Sequence, residues 1–124
     1  MINKRTYPSE IEVWYIIPFL RGELAREMKN RSVNQKKIAY FLDVTGATIS
    51  HYVHNKRALK LRLSKTLKHE ITAAVDRIIG NKSNVFFEVQ RMVRLDEVGE
   101  IKCMLHKKQG FNLKECKMCQ ECRV

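Results

Sequence analysis

The sequence predicts an all-α fold. Apolar residues recur at spacings near 3.6 residues in several stretches, and residue types that cap helices stand just before those stretches. No stretch has the strict alternation of apolar and polar residues that predicts a strand. With 124 residues, 44% of them hydrophobic, the chain suits one small helical core with a short appended segment.

The first predicted helix follows Ser9, whose side chain suits the N-cap position. Pro18 interrupts this helix, because proline lacks a backbone donor and clashes with the preceding turn. Either the helix kinks there or a new helix begins with Pro18 in its first turn. The apolar stripe consists of Ile11, Trp14, Ile17, Leu24 and Met28.

Two short helices are predicted next. Asn34 suits the N-cap of a helix over Gln35–Leu42. Thr45 suits the N-cap of a helix over about Gly46–His54. Residues 43–44 form the turn that joins them.

The rest of the chain is also predicted to be helical, up to a cysteine-rich tail. Ser64 caps a fourth helix that stops at Gly80, and a further helix begins near Asn84. Gly99 either breaks that last helix or is tolerated within it, and Gly110 ends it. The fourth helix has the stripe Leu67, Ile71, Val75 and Ile78, and the last has Val85, Val89, Met92 and Val93.

Positive charge is concentrated in one segment. The net charge is +11, and from Arg31 to His69 nine basic residues face only Asp43, so 9 − 1 gives +8 there. Such an excess predicts attraction to polyanions, with nucleic acid first and an anionic membrane second, against a solvated surface without a partner. The nine are Arg31, Lys36, Lys37, Lys56, Arg57, Lys60, Arg62, Lys65 and Lys68.

No apolar run approaches the ~20 residues of a membrane span, and the N-terminus lacks a secretory apolar region. We therefore expect a cytoplasmic protein with reduced thiols and no membrane partner. We also expect no enzymatic activity, because a Gly-rich phosphate loop, a nucleophile elbow and a His-Glu-x-x-His motif are missing from the sequence.

The two short helices have the pattern of a helix-turn-helix. Two helices that cross steeply need a small residue at the crossing, which Ala39 supplies. The shared core consists of Ile38, Leu42, Val44 and Ile49. The outward positions of the second helix are short or polar, as a helix in a DNA groove requires. They are Gly46, Ala47, Thr48, Ser50 and His51.

The stretch from Gln35 to Tyr52, with Pro18-Phe-Leu-Arg-Gly-Glu-Leu-Ala before it, resembles the lambda-repressor-like (xenobiotic-response-element) helix-turn-helix regulators of archaeal type. The resemblance covers roughly residues 8–79. The family usually has glycine in the turn where Asp43 stands, and aspartate tolerates a left-handed backbone better than most residues. The resemblance implies a sequence-specific DNA-binding regulator, with the DNA-binding domain in residues 1–80 and a dimerisation and sensor segment in residues 81–124.

Position within the motif suggests a role for each residue. Thr48, Ser50 and His51 are candidates for base-edge contacts, and Ala47 for a thymine methyl. Basic and amide side chains around the groove are candidates for phosphate contacts, which fix register. The predicted DNA-binding residues are Gln35, Lys36, Lys37, Thr45, Ala47, Thr48, Ser50, His51, Asn55, Lys56 and Arg57. The small size of the chain, and the fact that helix-turn-helix proteins usually bind DNA as dimers, predict a homodimer. The helix from Asn84 is the candidate for the contact between the two subunits.

The four cysteines all lie in the last fifth of the chain and predict a metal site. They are Cys103, Cys116, Cys119 and Cys122. Three at two-residue spacing plus a distant fourth resemble ferredoxin-type ligation of a [4Fe–4S] cluster, which would make the protein a redox or iron–sulfur sensor. A structural Zn²⁺ site, with His106 as an optional ligand, and metal-free redox thiols are the alternatives. Considered alone, His106 is interpreted as a solvated helical histidine. An RNA- or protein-binding adaptor is the alternative function.

Overall fold

The computed structural model describes residues 7–54 and 64–108, with side chains over residues 7–50 and 64–106. Every regular element in those ranges is a helix, which confirms the all-α prediction at that level. None of the helices described is long and apolar enough to cross a membrane. The elements are α1 (Pro8–Ile11), a π-helix (Glu12–Ile16), α2 (Ile17–Asn30), α3 (Gln35–Leu42), α4 (Gly46–His54), α5 (Lys65–Ile79), α6 (Val85–Val93) and α7 (Asp96–Lys108).

The N-terminal run begins two residues earlier than predicted. Tyr7 is the N-cap and Ser9 lies within α1, because the Glu10 carboxylate accepts a 2.9 Å hydrogen bond from the Tyr7 backbone N–H and replaces a serine cap. Pro18 lies in the first turn of α2, as one of the two alternatives proposed. The π-helix occupies the turn just before it, so the missing N–H of proline falls where the hydrogen-bonding pattern changes.

The predicted caps of α3, α4 and α5 are confirmed. A side-chain oxygen at each cap accepts a hydrogen bond from a backbone N–H in the first turn, and so satisfies a donor that has no partner within the helix. The cap oxygen to amide nitrogen distances are 2.8 Å for Asn34, 3.2 Å for Thr45 and 3.1 Å for Ser64. Asn84 caps α6 in the same way at 2.9 Å.

Three helices end on a left-handed residue other than glycine. Ser32, Asp43 and Asn81 have φ values of 63°, 55° and 59°. Asp43 confirms the expectation for the turn after α3. Gly80 is at the end of α5 as predicted, but its φ is −79°, so the left-handed conformation that closes this helix belongs to the next residue.

Helix α2 is the centre of the fold. Helices α3, α4, α5 and α6 pack against it, whereas α1 and the π-helix pack against α7. The break between α6 and α7 falls at residues 94–95 rather than at Gly99, which is buried inside α7. The core of α2 consists of Phe19, Leu20, Leu24, Ala25 and Met28, all buried.

Candidate nucleic-acid interface

The α3–α4 pair is anchored by apolar residues on its inner side. Ile38 and Leu42 of α3 and Ile49 of α4 are buried, and Ala39 and Val44 are partly buried against the same core. Both helices pack on α2. The four residues predicted to form the shared core, and Ala39 predicted at the crossing, therefore all contribute to it.

The turn between the two helices is fixed by backbone hydrogen bonds. Asp43 is left-handed, with φ 55° and ψ 48°, and the N–H of Val44 donates to the Ala39 carbonyl at 3.1 Å. Arg21 of α2 donates from Nη2 to the Leu42 carbonyl at 2.8 Å. These bonds satisfy carbonyls that the end of α3 would otherwise leave without partners.

A second link joins the starts of α3 and α4. The Gln35 Nε2 donates to the Gly46 carbonyl oxygen at 2.8 Å. Gln35 was predicted to contact a phosphate. Its bond to Gly46 was not predicted, because it joins two positions eleven residues apart whose proximity depends on the crossing of the helices. The bond holds the N-termini of both helices in one relative position.

Most of the predicted contact residues with described side chains are on the surface. Thr48 and Ser50 are half-buried, however, and not exposed as predicted. The Thr48 hydroxyl lies 2.9 Å from the Thr45 hydroxyl, within the capping turn of α4. The exposed positions are Gln35, Lys36, Lys37, Thr45, Gly46 and Ala47. The side chain of His51, and the whole of Asn55, Lys56 and Arg57, lie outside the described residues.

Tyr40 is an exposed residue of this surface that the sequence analysis missed. It lies four residues after Lys36 and three after Lys37, so the three side chains share the outward side of α3. Its ring meets Phe41 edge to face, with 5.7 Å between ring centroids. The spacing alone would have identified it, since residues 36, 37 and 40 are off the buried stripe of α3.

Not all of the positive charge in residues 31–69 is available to a polyanion. Arg31 donates from Nε to Glu27 at 2.9 Å, pairs with Asp76, and donates to the Thr72 carbonyl at 3.1 Å. Its pKa is raised above the usual value, mainly by the hydrogen bonds to Asp76 and Glu27. Arg31 therefore joins α2 to α5, and its charge is compensated by Glu27 and Asp76.

The cysteine prediction falls mostly outside the described residues, which include Cys103 but not Cys116, Cys119 or Cys122. Cys103 is half-buried on α7. His106, one turn later, is 1% exposed, so its interpretation as a solvated histidine was wrong. Among the described residues, no three potential metal ligands cluster together.

A buried carboxylate in the second half of the molecule was also missed. Glu88 of α6 is 1% exposed and accepts from Arg77 at 2.9 and 2.8 Å and from Arg91 at 3.2 and 3.1 Å. These hydrogen bonds, those from Arg77 first, lower the pKa of Glu88 to about 2. Glu88 lies three residues after Val85 and four before Met92, so helical periodicity could have placed it on the inward stripe.

The C-terminal helix has a similar inward charge. Lys102 of α7 is buried, and its Nζ lies 2.6 Å from the carboxylate of Glu12 on the π-helix. Lys102 and His106 follow Val98 at intervals of four residues, which again is the inward stripe.

No protein-family model, curated protein or solved structure matches the chain, so its function is inferred from its own residues.

Proposed function

We propose that α3 and α4 form a helix-turn-helix that docks α4 in the major groove of duplex DNA, and that the protein is a sequence-specific transcriptional regulator of the lambda-repressor-like kind. The observation that carries this proposal is the division of the α3–α4 pair into two sides. Ile38, Leu42 and Ile49 are buried, while the first turn of α4 presents Gly46 and Ala47 to solvent. Side chains this short let a helix backbone approach base edges closely.

The charge of the same surface supports DNA over a neutral partner. Lys36 and Lys37 are exposed at the start of α3, where the positive end of the helix dipole also attracts phosphate. Among the described residues, the only acid between Gln35 and Ser50 is Asp43. Phosphate contacts here would fix register, and α4 would read sequence. We propose a homodimer as the binding form, since two half-sites one turn apart suit a twofold protein.

For the C-terminal cysteines we propose a [4Fe–4S] cluster that makes DNA binding respond to redox or iron–sulfur status. The support is the spacing of Cys116, Cys119 and Cys122 together with Cys103. Oxygen-free purification followed by a visible spectrum and metal analysis tests it. A brown protein with four irons per chain is expected, and a colourless protein that contains zinc would replace the sensor with a structural site.

The test of DNA binding uses Ala47→Glu. The side chain is exposed in the first turn of α4, where a carboxylate favours the helix through its dipole but would repel phosphates in a groove. Thr66→Glu is the matched control, because Thr66 is exposed at the equivalent position of α5. The ligand is a labelled duplex enriched by repeated selection from a random-sequence pool, and binding is followed by fluorescence anisotropy.

We expect Ala47→Glu to weaken DNA binding by about tenfold or more while Thr66→Glu changes it little, with the same thermal unfolding temperature in both variants.

Replacing Lys36 and Lys37 together by alanine should lower the slope of the logarithm of the binding constant against the logarithm of the salt concentration, by up to about 0.9 per lost phosphate contact. The control with the same charge change is Lys82→Ala with Arg94→Ala. Equal effects of the two acidic variants, failure to enrich any duplex, or equal competition by RNA of the same sequence would contradict the proposal.

A further inference from the structure

An open recess lies where the chain turns from α5 into α6. Its volume is about 230 Å³, and the residues that line it are Arg77, Lys82, Ser83, Phe87, Glu88 and Arg91. At roughly 30 Å³ for each water molecule, this space holds about eight waters. It is smaller than the ~300–1,000 Å³ pockets that enclose drug-sized ligands, and it suits one charged group with a small ring beside it.

The turn places two cations of the recess next to each other. Asn81 is left-handed, with φ 59°, and the Lys82 backbone N–H donates to the Arg77 carbonyl at 2.9 Å. The Asn81 N–H donates to the Ile78 carbonyl at 3.1 Å, which completes a Schellman motif at the end of α5. The backbone of Lys82 is therefore fixed beside that of Arg77.

The residues that line the recess carry more positive than negative charge. Three cations stand against one carboxylate, and 3 − 1 gives +2, while Glu70, which pairs with Arg91, is not part of the lining. The Glu88 side chain is 1% exposed, whereas those of Arg77 and Arg91 are 39% and 33% exposed. A ligand that enters from solvent therefore meets the cations before the carboxylate. In keeping with this field, the pKa of Glu88 is lowered to about 2, mainly by the hydrogen bonds from Arg77.

Two hydrogen-bond donors of the recess remain for a ligand. Arg77 donates to Glu88 through Nε and Nη2, and its Nη1 has no partner among the described residues. The ammonium group of Lys82 has none there either. Arg91 instead directs its nitrogens to Glu88 and Glu70. Because the edge of Arg77 that would bind a planar carboxylate already holds Glu88, the two separate donors suit the several oxygens of a phosphate group better.

Phe87 gives the recess an apolar wall. The apolar stripe of α6, which was the predicted dimer contact, is buried in the core of its own chain, so Phe86 and Phe87 lie on the outward side. They are 62% and 64% exposed, but only Phe87 lines the recess. An exposed ring at the edge of a cationic recess can pack against an apolar or aromatic part of the same ligand.

A larger recess between α2 and α5 shows no such preference. Its volume is about 360 Å³, and two acidic and two basic side chains line it, so that 2 − 2 gives zero. They are Glu23, Glu27, Arg26 and Lys68, and none of the described residues that line this recess is aromatic. The excess of positive charge beside an aromatic ring is thus particular to the α5–α6 recess.

We propose that the recess at the α5–α6 turn binds a small phosphate-bearing ligand, with the phosphate on Arg77 and Lys82 and an apolar or aromatic part of the ligand against Phe87. The recess is built from α5, α6 and the turn between them, and it includes none of the residues predicted to contact DNA. This inference rests neither on DNA binding nor on the cysteines.

Phenyl phosphate is the probe, because it joins one phosphate to one aromatic ring. It is titrated into the isotope-labelled full chain at a constant ionic strength of about 0.15 M, and the backbone amide signals are followed by NMR. Inorganic phosphate supplies the charge without the ring, and benzyl alcohol the ring without the charge. Lys82→Ala and Phe87→Ala test the two sides of the recess. Lys65→Ala, at an exposed lysine of α5, and Phe86→Ala are the matched controls, since both residues lie outside it.

We expect saturable binding of phenyl phosphate with a dissociation constant on the order of 1 mM, and shifts concentrated in residues 82–91. Lys82→Ala should weaken the binding of both phosphates by about fivefold or more, and Phe87→Ala should weaken that of phenyl phosphate alone. The two controls should change neither. Absence of saturation, shifts spread over all the basic residues, or an equal loss in Lys65→Ala overturns the proposal. So does equally tight binding of benzyl alcohol, or a loss of DNA affinity in Lys82→Ala, which would assign the recess to a nucleic-acid backbone.

Discussion

The α3–α4 and α5–α6 pairs are both short-linked helical pairs, but they are held together differently. In α3–α4, neutral groups make the link between the helices, with Gln35 donating to the Gly46 carbonyl, and the outward side chains are small or flexible. In α5–α6, the Glu88 carboxylate lies buried between Arg77 and Arg91, and Arg91 also reaches Glu70 at 2.9 Å. Charge is therefore used internally in the second pair and left on the surface in the first.

This difference should separate the stability of the fold from the proposed binding of DNA. Hydrogen bonds to charged groups contribute more than neutral ones, so we expect the ionic link of Glu88 to contribute more than the Gln35–Gly46 hydrogen bond. The exposed lysines at the start of α3 have no such internal partner among the described residues and stay available to a polyanion. Changes in α5–α6 should then alter unfolding without altering the binding surface, and changes in the first turn of α4 should do the reverse.

The largest effect is expected for Glu88→Ala. Removing the carboxylate leaves two guanidinium groups facing each other and a cavity on the inward side of α6, but both arginines are about a third exposed, so water partly compensates. We expect the free energy of unfolding to fall by about 2–4 kcal/mol in urea denaturation. Glu100→Ala, at an exposed glutamate of α7, should change it by less than about 0.5 kcal/mol.

For the comparison to hold, the folded Glu88→Ala protein must still bind the selected duplex with nearly wild-type affinity at a temperature where it is fully folded. A loss of affinity there would mean that the two helical pairs are coupled through α2, against which both pack.

Acid should weaken the α5–α6 joint before it affects α3–α4. Because the pKa of Glu88 is lowered from 4.5 to about 2, its contribution is complete above pH 4.5 and is lost as the pH falls toward 2. That contribution has an upper limit of about 3 kcal/mol. Urea denaturation of the wild type and of Glu88→Gln at pH 5, 3.5 and 2.5 measures it. The difference between the two proteins should shrink as pH falls, and a constant difference would show that the stabilisation does not depend on the charge.

Local rules predicted much of the fold but little of what joins its parts. Asn34, Thr45 and Ser64 cap helices as expected, because a cap depends on residues three apart in the sequence. The Gln35–Gly46 hydrogen bond depends on how α3 and α4 cross, so composition and spacing did not predict it. The burial of Glu88 also depends on how helices pack, and it was missed because a charged residue was not considered for a core position.

The same reasoning explains the errors in the candidate site. Thr48 and Ser50 were expected to be exposed because they are polar, yet they flank the buried Ile49 and lie partly against the core side of α4. Gly99 was predicted either to break the last helix or to be tolerated within it. The second alternative holds, because the break falls at residues 94–95 and Gly99 lies buried inside α7.

The smallest predicted effect compares the ends of the two pairs. Asp43 and Asn81 have nearly the same left-handed backbone, φ 55° and 59°, at the ends of α3 and α5. Replacing either by glycine removes the strain of a Cβ in that conformation, which for aspartate and asparagine is at the low end of the usual ~1–2 kcal/mol. We therefore expect Asp43→Gly and Asn81→Gly each to raise the free energy of unfolding by about 0.5–1 kcal/mol in urea.

Their effects on DNA affinity should differ. Asp43→Gly also removes an acid next to the exposed first turn of α4, and so should strengthen the proposed DNA binding by a few-fold at low salt, with the gain fading as salt rises. Asn81→Gly changes no charge and lies beyond α5, so binding should stay at the wild-type level. If both variants gain stability and neither gains DNA affinity, the surface beside Asp43 does not face the duplex. The proposed difference in role between α3–α4 and α5–α6 would then be wrong at the turn between α3 and α4.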